Sequence, residues 1–367
     1  MSRSPAALFR PFTLNGLQLA NRIVMAPMTR YFSPGGTPGA DVASYYRRRA
    51  DNMCGLIITE GTTIQAPVAN GYPKTPYFWG DALTGWLRVR EEVHAAGGKI
   101  FPQLWHVGMQ RIARKAKNSE VPSVGPSGLD SFGNSLSEPM SSAQIQEVID
   151  AFGQAARQAQ QLGFDGVALH GAHGYLIDQF FWEKTNRRTD QYGGSIAKRA
   201  RFCCEIVKAI RHEVGPDFPI MLRISQWKSG EYTAKLAPTV ASLREFLEPL
   251  AAAGVDAFDC SQRRFWEPEF GGSPLNLGGW VKVLSGKPAM TVGSVGLSGD
   301  FIASLFEKAS SAVSGIDGLL DRLERDEFDL VGVGRALLVD PTWVKKIAEQ
   351  RYDALLPYTP EAMATLS

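Results

Sequence analysis

Short apolar runs rich in β-branched residues alternate along this chain with longer amphipathic ones. The runs RIVMAP (22–27), GLIITEG (55–61), KIFPQLW (99–105), FDGVALHG (164–171), PIMLRIS (219–225), VDAFDCS (255–261), PAMTVGSV (288–295) and DLVGVGR (329–335) read as eight strands. Near-continuous apolar character, rather than strict alternation, predicts strands covered on both faces, as in a parallel sheet. Between them the period changes to that of a helix. In QIQEVIDAFGQAARQAQQL the residues Ile145, Val148, Ile149, Phe152, Ala156 and Ala159 line one face. Ser141, with Gln144 three positions on, predicts a capping box at its start. Residues 41–53, 83–96, 196–214 and 240–253 follow the same helical pattern, and several of these segments close on glycine, as in AAGG (95–98) and AAAG (251–254).

Eight strand–helix units with no low-complexity linker predict one (β/α)8 TIM barrel spanning residues 1–367. An open doubly wound sheet would want a glycine-rich phosphate fingerprint after an early strand, and the first strand instead runs into APMTR. Residues 106–140 break the rhythm as a long polar excursion after the third strand, which predicts a lid or rim.

Composition narrows the function classes. A 44% hydrophobic content supplies a core, and a net charge of +2 offers no attraction to nucleic acid or a membrane surface. The four cysteines form no C-x-x-C pair, so neither a disulfide framework nor a metal cluster is expected. The N-terminus lacks an apolar stretch of leader length, and a cytoplasmic protein is expected.

Barrels of this kind do their chemistry at the C-terminal ends of the strands. Those ends carry Pro27, Met28 and Thr29, then Glu60 and Gly61, Gln103 and Trp105, His170, His173 and Tyr175, Arg223, Gly293 and Ser294, and Gly334 and Arg335. The glycines of VGSVG (292–296) and GVGRA (332–336) follow strands seven and eight, where barrel backbones bind phosphate. An inward Arg223 needs an anionic partner, and MLRISQW offers no acid, so the negative region of a ligand is the expected partner. Gln103 adds a donor and an acceptor. A phosphate, a polar planar ring and a cation together point to flavin mononucleotide (FMN). The two histidines admit three readings. They could bind a metal with His106, Asp178 or Glu183, as in a metal-dependent barrel hydrolase. They could donate jointly to a developing oxyanion, with Tyr175 as proton donor. They could also be hydrogen-bonded loop groups without chemistry.

The ordered set NRIVMAPMTR, ITEGT, PQLWHVG, HGAHGYLIDQF, RTDQYGGS, LRIS, VGSV and VGVGRALL resembles the old yellow enzymes, FMN-dependent ene-reductases, over nearly the whole chain. The resemblance implies that Pro27, Met28 and Thr29 lie against the flavin ring, with the Thr29 hydroxyl on a ring carbonyl. It implies ring contacts from Gly61 and Gln103, a cation at the pyrimidine edge from Arg223, and a phosphate cradle from Gly293, Ser294, Gly334 and Arg335. His170 and His173 would grip the substrate oxygen, Tyr175 would give the proton, and Trp105 would wall the substrate pocket. The implied reaction is ping-pong: NAD(P)H reduces the flavin, and an electron-poor alkene then takes the hydride. A flavin-binding protein without turnover remains an alternative.

Residues 259–280 depart from the common pattern. Arg263 and Arg264 there could shape substrate access or meet an NADPH phosphate, or the loop could merely pack its own aromatics. Tyr31 could reach the pocket. Cys203 and Cys204 read as packing residues, and YYRRR (45–49) as a solvated helix face.

Overall fold

The computed structural model describes residues 3–115 and 118–367. Residues 1–2, at the head of the segment read for a leader, and 116–117, within the polar excursion, lie outside the described residues. Eight strands appear where the apolar runs predict them: β1 Ile23–Met25, β2 Leu56–Thr63, β3 Ile100–Trp105, β4 Val167–His173, β5 Ile220–Lys228, β6 Ala257–Ser261, β7 Ala289–Val292 and β8 Leu330–Val333. Each pairs with the next, and β8 pairs in parallel with β1, closing the barrel.

A two-stranded hairpin precedes the barrel, Phe12–Leu14 against Leu17–Leu19. Its turn is Asn15-Gly16, both at positive φ (42° and 82°), the backbone that a two-residue hairpin demands. The Asn-Gly pair was the sequence signal for this element, but strands of three residues are too short to show a period. Leu14 and Leu19 join Leu56, Phe101, Met221 and Met290 in the barrel's inner apolar cluster, so the hairpin plugs the N-terminal end.

Helices Ala40–Asp51, Ala82–Ala95, Ser142–Gln161 and Val240–Ala253 match their predicted spans. Both bonds of the capping box form, Gln144 N–H to Ser141 Oγ at 3.2 Å and Ser141 N–H to Gln144 Oε1 at 2.9 Å. The helix expected over 196–214 is two pieces, Ile196–Arg199 and Arg201–Val214, joined at Ala200. The reading of YYRRR as a solvated face is corrected. Tyr45, Tyr46 and Arg49 are buried, and Arg49 donates to the Leu337 and Leu338 carbonyls at 2.9 and 3.1 Å. With Val42, residues 45, 46 and 49 share the helix face turned to the barrel. Cys203 and Cys204 are buried and free, as packing residues would be.

The pleat sets what faces the barrel axis. Phe101, Ala168, Met221 and Ala257 form part of the inner apolar layer. Two residues further along each strand, the same face presents Gln103, His170, Arg223 and Asp259, all buried. A polar layer therefore sits on an apolar floor at the C-terminal end. In the described part of the 106–140 excursion, the Pro126 and Met140 carbonyls accept from Arg188 Nη1 at 2.7 Å each.

Candidate active site

The ladder between β4 and β5 shifts register between Gly171 and His173. His173 there takes a left-handed backbone, φ 65°. Its N–H donates to Ser225 Oγ at 3.1 Å, and its carbonyl accepts from Ser229 N–H at 3.3 Å. The next N–H, of Gly174, donates to Asp178 Oδ2 at 2.6 Å, while Lys228 Nζ donates to Asp178 Oδ1 at 2.6 Å. Both charged side chains are 0% exposed. Burial raises the Asp178 carboxyl and lowers the Lys228 ammonium, each opposed by the other's charge. A buried ion pair thus holds the loop that carries His173 and Tyr175.

The expected residues converge. Tyr175 meets Trp105 edge-on at 4.8 Å and His170 at 4.8 Å between ring centroids, and His170 lies 5.2 Å from His173. Two further rings close the group. Tyr72 stacks on Trp105 at 5.6 Å, and Trp227 stacks on His173 at 4.2 Å. The sequence reading missed both. Tyr72 sits on the loop after β2 with no local pattern, and Trp227 lies beyond Ser225, where the fifth strand was expected to stop. Tyr31, 41% exposed, reaches the Tyr72 ring at 6.3 Å.

Burial, and then the charge of Arg223, hold both histidines well below the usual imidazole range, so they are neutral N–H donors. Burial, and then the neighbouring phenols Tyr72 and Tyr31, hold the Tyr175 phenol well above its usual range, while the Tyr72 hydroxyl donates to the Gln110 carbonyl at 3.1 Å. His106 is engaged elsewhere: its Nδ1 accepts from Gly108 N–H at 3.0 Å, and burial pushes it down to about 3. Among the described residues no three His, Cys, Asp or Glu side chains are grouped to hold a metal ion.

Arg223 requires a correction. Its anionic partner is not left to a ligand but comes from the adjacent strand. Asp259 on β6 stands opposite Arg223 in the ladder and accepts from Nη1 at 3.0 Å. Arg223 Nη2 donates to Ser261 Oγ at 3.2 Å, and that oxygen lies 2.8 Å from His173 Nε2. Burial, against the pull of Arg223, pushes the Asp259 carboxyl up to about 6. A signal for Asp259 and Ser261 did exist, since Ala257, Asp259 and Ser261 alternate along the inward face of one strand.

Pro27, Met28 and Thr29 lie half-buried where β1 ends. The chain beyond them is clamped by Glu60, whose Oε2 accepts from Arg30 N–H at 2.8 Å and Tyr31 N–H at 3.4 Å. Burial pushes the Glu60 carboxyl up to about 7. Gly61 pairs with Gln103 across the ladder, and a Cβ on it would come 2.7 Å from Trp105 Cε3. At the far side Gly293, φ 156°, leaves no room for a side chain, since a Cβ would lie 2.7 Å from the Gln262 carbonyl oxygen. Buried Arg335 donates from Nη2 to Ser294 Oγ at 3.3 Å and Gly299 O at 2.7 Å, so its guanidinium braces the loop after β7. Gly334 precedes it at the head of the helix Arg335–Val339. Arg263 and Arg264 both pair with Asp300, at 2.9 and 3.2 Å, and Phe265 is buried against the Trp266 ring.

The polar layer fits an FMN ring. Gln103 Nε2, Trp105 Nε1, His170 Nδ1, Arg223 Nε and Asp259 Oδ1 are buried with no hydrogen-bond partner among the described residues. Buried polar atoms in folded proteins are almost always paired, so a cluster of unpaired donors and an acceptor suits a planar ligand with polar edges. Gly293 after β7, where a Cβ would collide with the Gln262 carbonyl, suits a backbone-bound phosphate.

Residues 7–354 match the NADH:flavin oxidoreductase / NADH oxidase family. Over 251 residues the chain is 37% identical to putative 12-oxophytodienoate reductase 11 of Oryza sativa subsp. japonica, covering 65% of this chain and 68% of that one. Over 229 residues it is 36% identical to 12-oxophytodienoate reductase 2 of Arabidopsis thaliana, covering 59% and 60%. Morphinone reductase in complex with tetrahydroNAD superposes with a TM-score of 0.80 at 29% identity, covering 97% of this chain and 93% of that one. Old Yellow Enzyme from a Pichia species does so with a TM-score of 0.79 at 27% identity, covering 97% and 90%. With a closed parallel barrel, a convergent site at its C-terminal end and a family match over nearly its full length, the chain belongs to the NADH:flavin oxidoreductase / NADH oxidase family, as an FMN-dependent, NAD(P)H-using oxidoreductase of the old yellow enzyme type.

Proposed function

We propose that the protein is an ene-reductase that uses NAD(P)H to saturate the C=C bond of an α,β-unsaturated carbonyl compound or nitroalkene. FMN, when bound, would supply the hydride chemistry between the nicotinamide and the alkene β carbon. The protein's own groups supply the rest. Neutral His170 and His173 donate N–H bonds to the carbonyl or nitro oxygen, where negative charge grows. Ser261 orients the His173 ring. Tyr175, kept protonated by its surroundings, gives its proton to the α carbon once charge builds beside it. Trp105 walls the pocket. Gln103, Gly61, Thr29 and Arg223 would meet the ring's polar edge, Pro27 and Met28 its flank, and Gly293, Ser294, Gly334 and Arg335 the phosphate.

The observation that carries this reading is the grouping of two imidazoles and one phenol, with centroids 4.8 and 5.2 Å apart, His170 itself belonging to the polar layer. Relatives named for 12-oxophytodienoate and for morphinone, both oxo compounds, support a carbonyl-bearing acceptor. Four free, buried cysteines fit the reducing cytoplasm, and among the described residues no helix is long and apolar enough to cross a membrane. The test is an absorbance spectrum of the purified protein, followed anaerobically through NADPH and then cyclohexenone. Bleaching of a yellow protein and recovery of the colour are expected. A colourless protein that takes up no FMN refutes the reading, and a yellow one that NADPH leaves unbleached is a flavin carrier.

A further inference from the structure

We propose that Asp259 is a positioning residue that holds Arg223 as half of a neutral pair and thereby keeps the reduction potential of bound FMN low. The inference rests on the reading that FMN lies across the polar layer. Arg223 and Asp259 stand opposite each other on β5 and β6, one layer above Met221 and Ala257. Their side chains are 7% and 1% exposed, and the Nη1–Oδ2 distance is 3.0 Å. Among the described residues, Arg223 Nε and Asp259 Oδ1 are both buried without hydrogen-bond partners.

The electrostatics give the direction. An unpaired guanidinium beside a flavin favours the negatively charged reduced ring over the neutral oxidised one. A carboxylate 3.0 Å away offsets part of that field, and with little water near the pair neither charge is screened away. The pair therefore offers the ring a dipole instead of a full cation. Ser261 extends the same network: it accepts from Arg223 and contacts His173, so the orientation of one oxyanion donor is tied to the geometry of the pair. Asp259→Asn keeps an acceptor for Arg223 Nη1 and removes only the negative charge.

The test is spectroelectrochemical titration of the FMN-loaded protein at pH 8, where the Asp259 carboxyl is ionised, together with the dissociation constants of oxidised and reduced FMN. Asp259→Asn is expected to move the midpoint potential in the positive direction, with reduced FMN held more tightly relative to oxidised FMN by the matching factor. Asp259→Glu, which restores the charge, is expected to move it back. A purely structural Asp259 would weaken both redox forms alike, and an unchanged potential in Asp259→Asn overturns the proposal. Should the lone, unpaired Arg223 keep Asp259→Asn from folding, Arg223→Gln and Arg223→Gln/Asp259→Asn are compared. Because loss of Arg223 raises the Asp259 carboxyl further, the two variants are compared from pH 8 upwards: Arg223→Gln must fall below the double variant as pH rises and the carboxyl ionises, and identical potentials throughout overturn the proposal. Wild-type apoprotein that takes up no FMN would instead sink the functional reading itself.

Discussion

Lys228→Met removes one half of the pair beneath the His173–Tyr175 loop and leaves the Asp178 side chain buried with, among the described residues, only the Gly174 N–H as a partner. Both side chains are fully inaccessible, and the pair is 2.6 Å apart, so no water can take over the lost contact without the loop opening. Breaking a buried pair from one side costs about 3–5 kcal/mol. With an unfolding entropy of about 2.1 cal/mol/K per residue over a chain of this length, that is a fall in melting temperature of roughly 4–6 °C. The same variant lets His173 and Tyr175 drift, so the alkene half-reaction slows more than flavin reduction does. Lys228→Met/Asp178→Asn removes both charges and retains an acceptor for Gly174 N–H, and it recovers most of the lost stability. The assay is thermal unfolding followed by circular dichroism at one scan rate, with stopped-flow measurement of each half-reaction. A single variant that melts within about 1 °C of wild type refutes the reasoning. So does a double variant no more stable than the weaker single one.

Glu60 titrates high in the folded chain, about 7 against an ordinary 4.5, so the folded state binds its proton more tightly than the unfolded state. Its contribution, roughly 3 kcal/mol, is complete below about pH 4.5 and is lost as pH rises through about 7. Glu60→Gln should flatten that part of the stability profile, as read by urea midpoints at pH 5 and pH 8. Gly61→Ala would force the Trp105 ring aside, and fluorescence titration should show FMN bound at least about tenfold more weakly. Tyr175→Phe should leave flavin reduction by NADPH intact and slow reoxidation by weak acceptors by about a hundredfold or more; equal slowing of both half-reactions would remove Tyr175 from the proton step.

The barrel was legible because each of its strands is buried on both faces, so the apolar runs stand out against polar loops. The mouth was legible because strand ends in a closed parallel barrel converge whatever lies between them. What stayed hidden depends on neighbours across strands. Arg223 and Asp259 are 36 residues apart, and no local window joins them. The fifth strand was cut at Ser225 because Gln226 and Lys228 look like loop residues. They belong to the strand because their polar groups are satisfied inside, Gln226 by the backbone of Ala237 at 2.9 and 2.8 Å and Lys228 by Asp178. Tyr45, Tyr46 and Arg49 misled for the same reason, since the carbonyls that receive Arg49 belong to residues near the other end of the chain.

The small hairpin at residues 12–19 has a consequence for traffic. Leu14 and Leu19 extend the apolar cluster that already fills the barrel's interior, so the base of the barrel is closed to ligands and its mouth is the one end left for them. For an enzyme of the proposed function, whatever brings electrons and whatever carries them away would have to use that same mouth. On the proposed function, the two visitors would then take turns there.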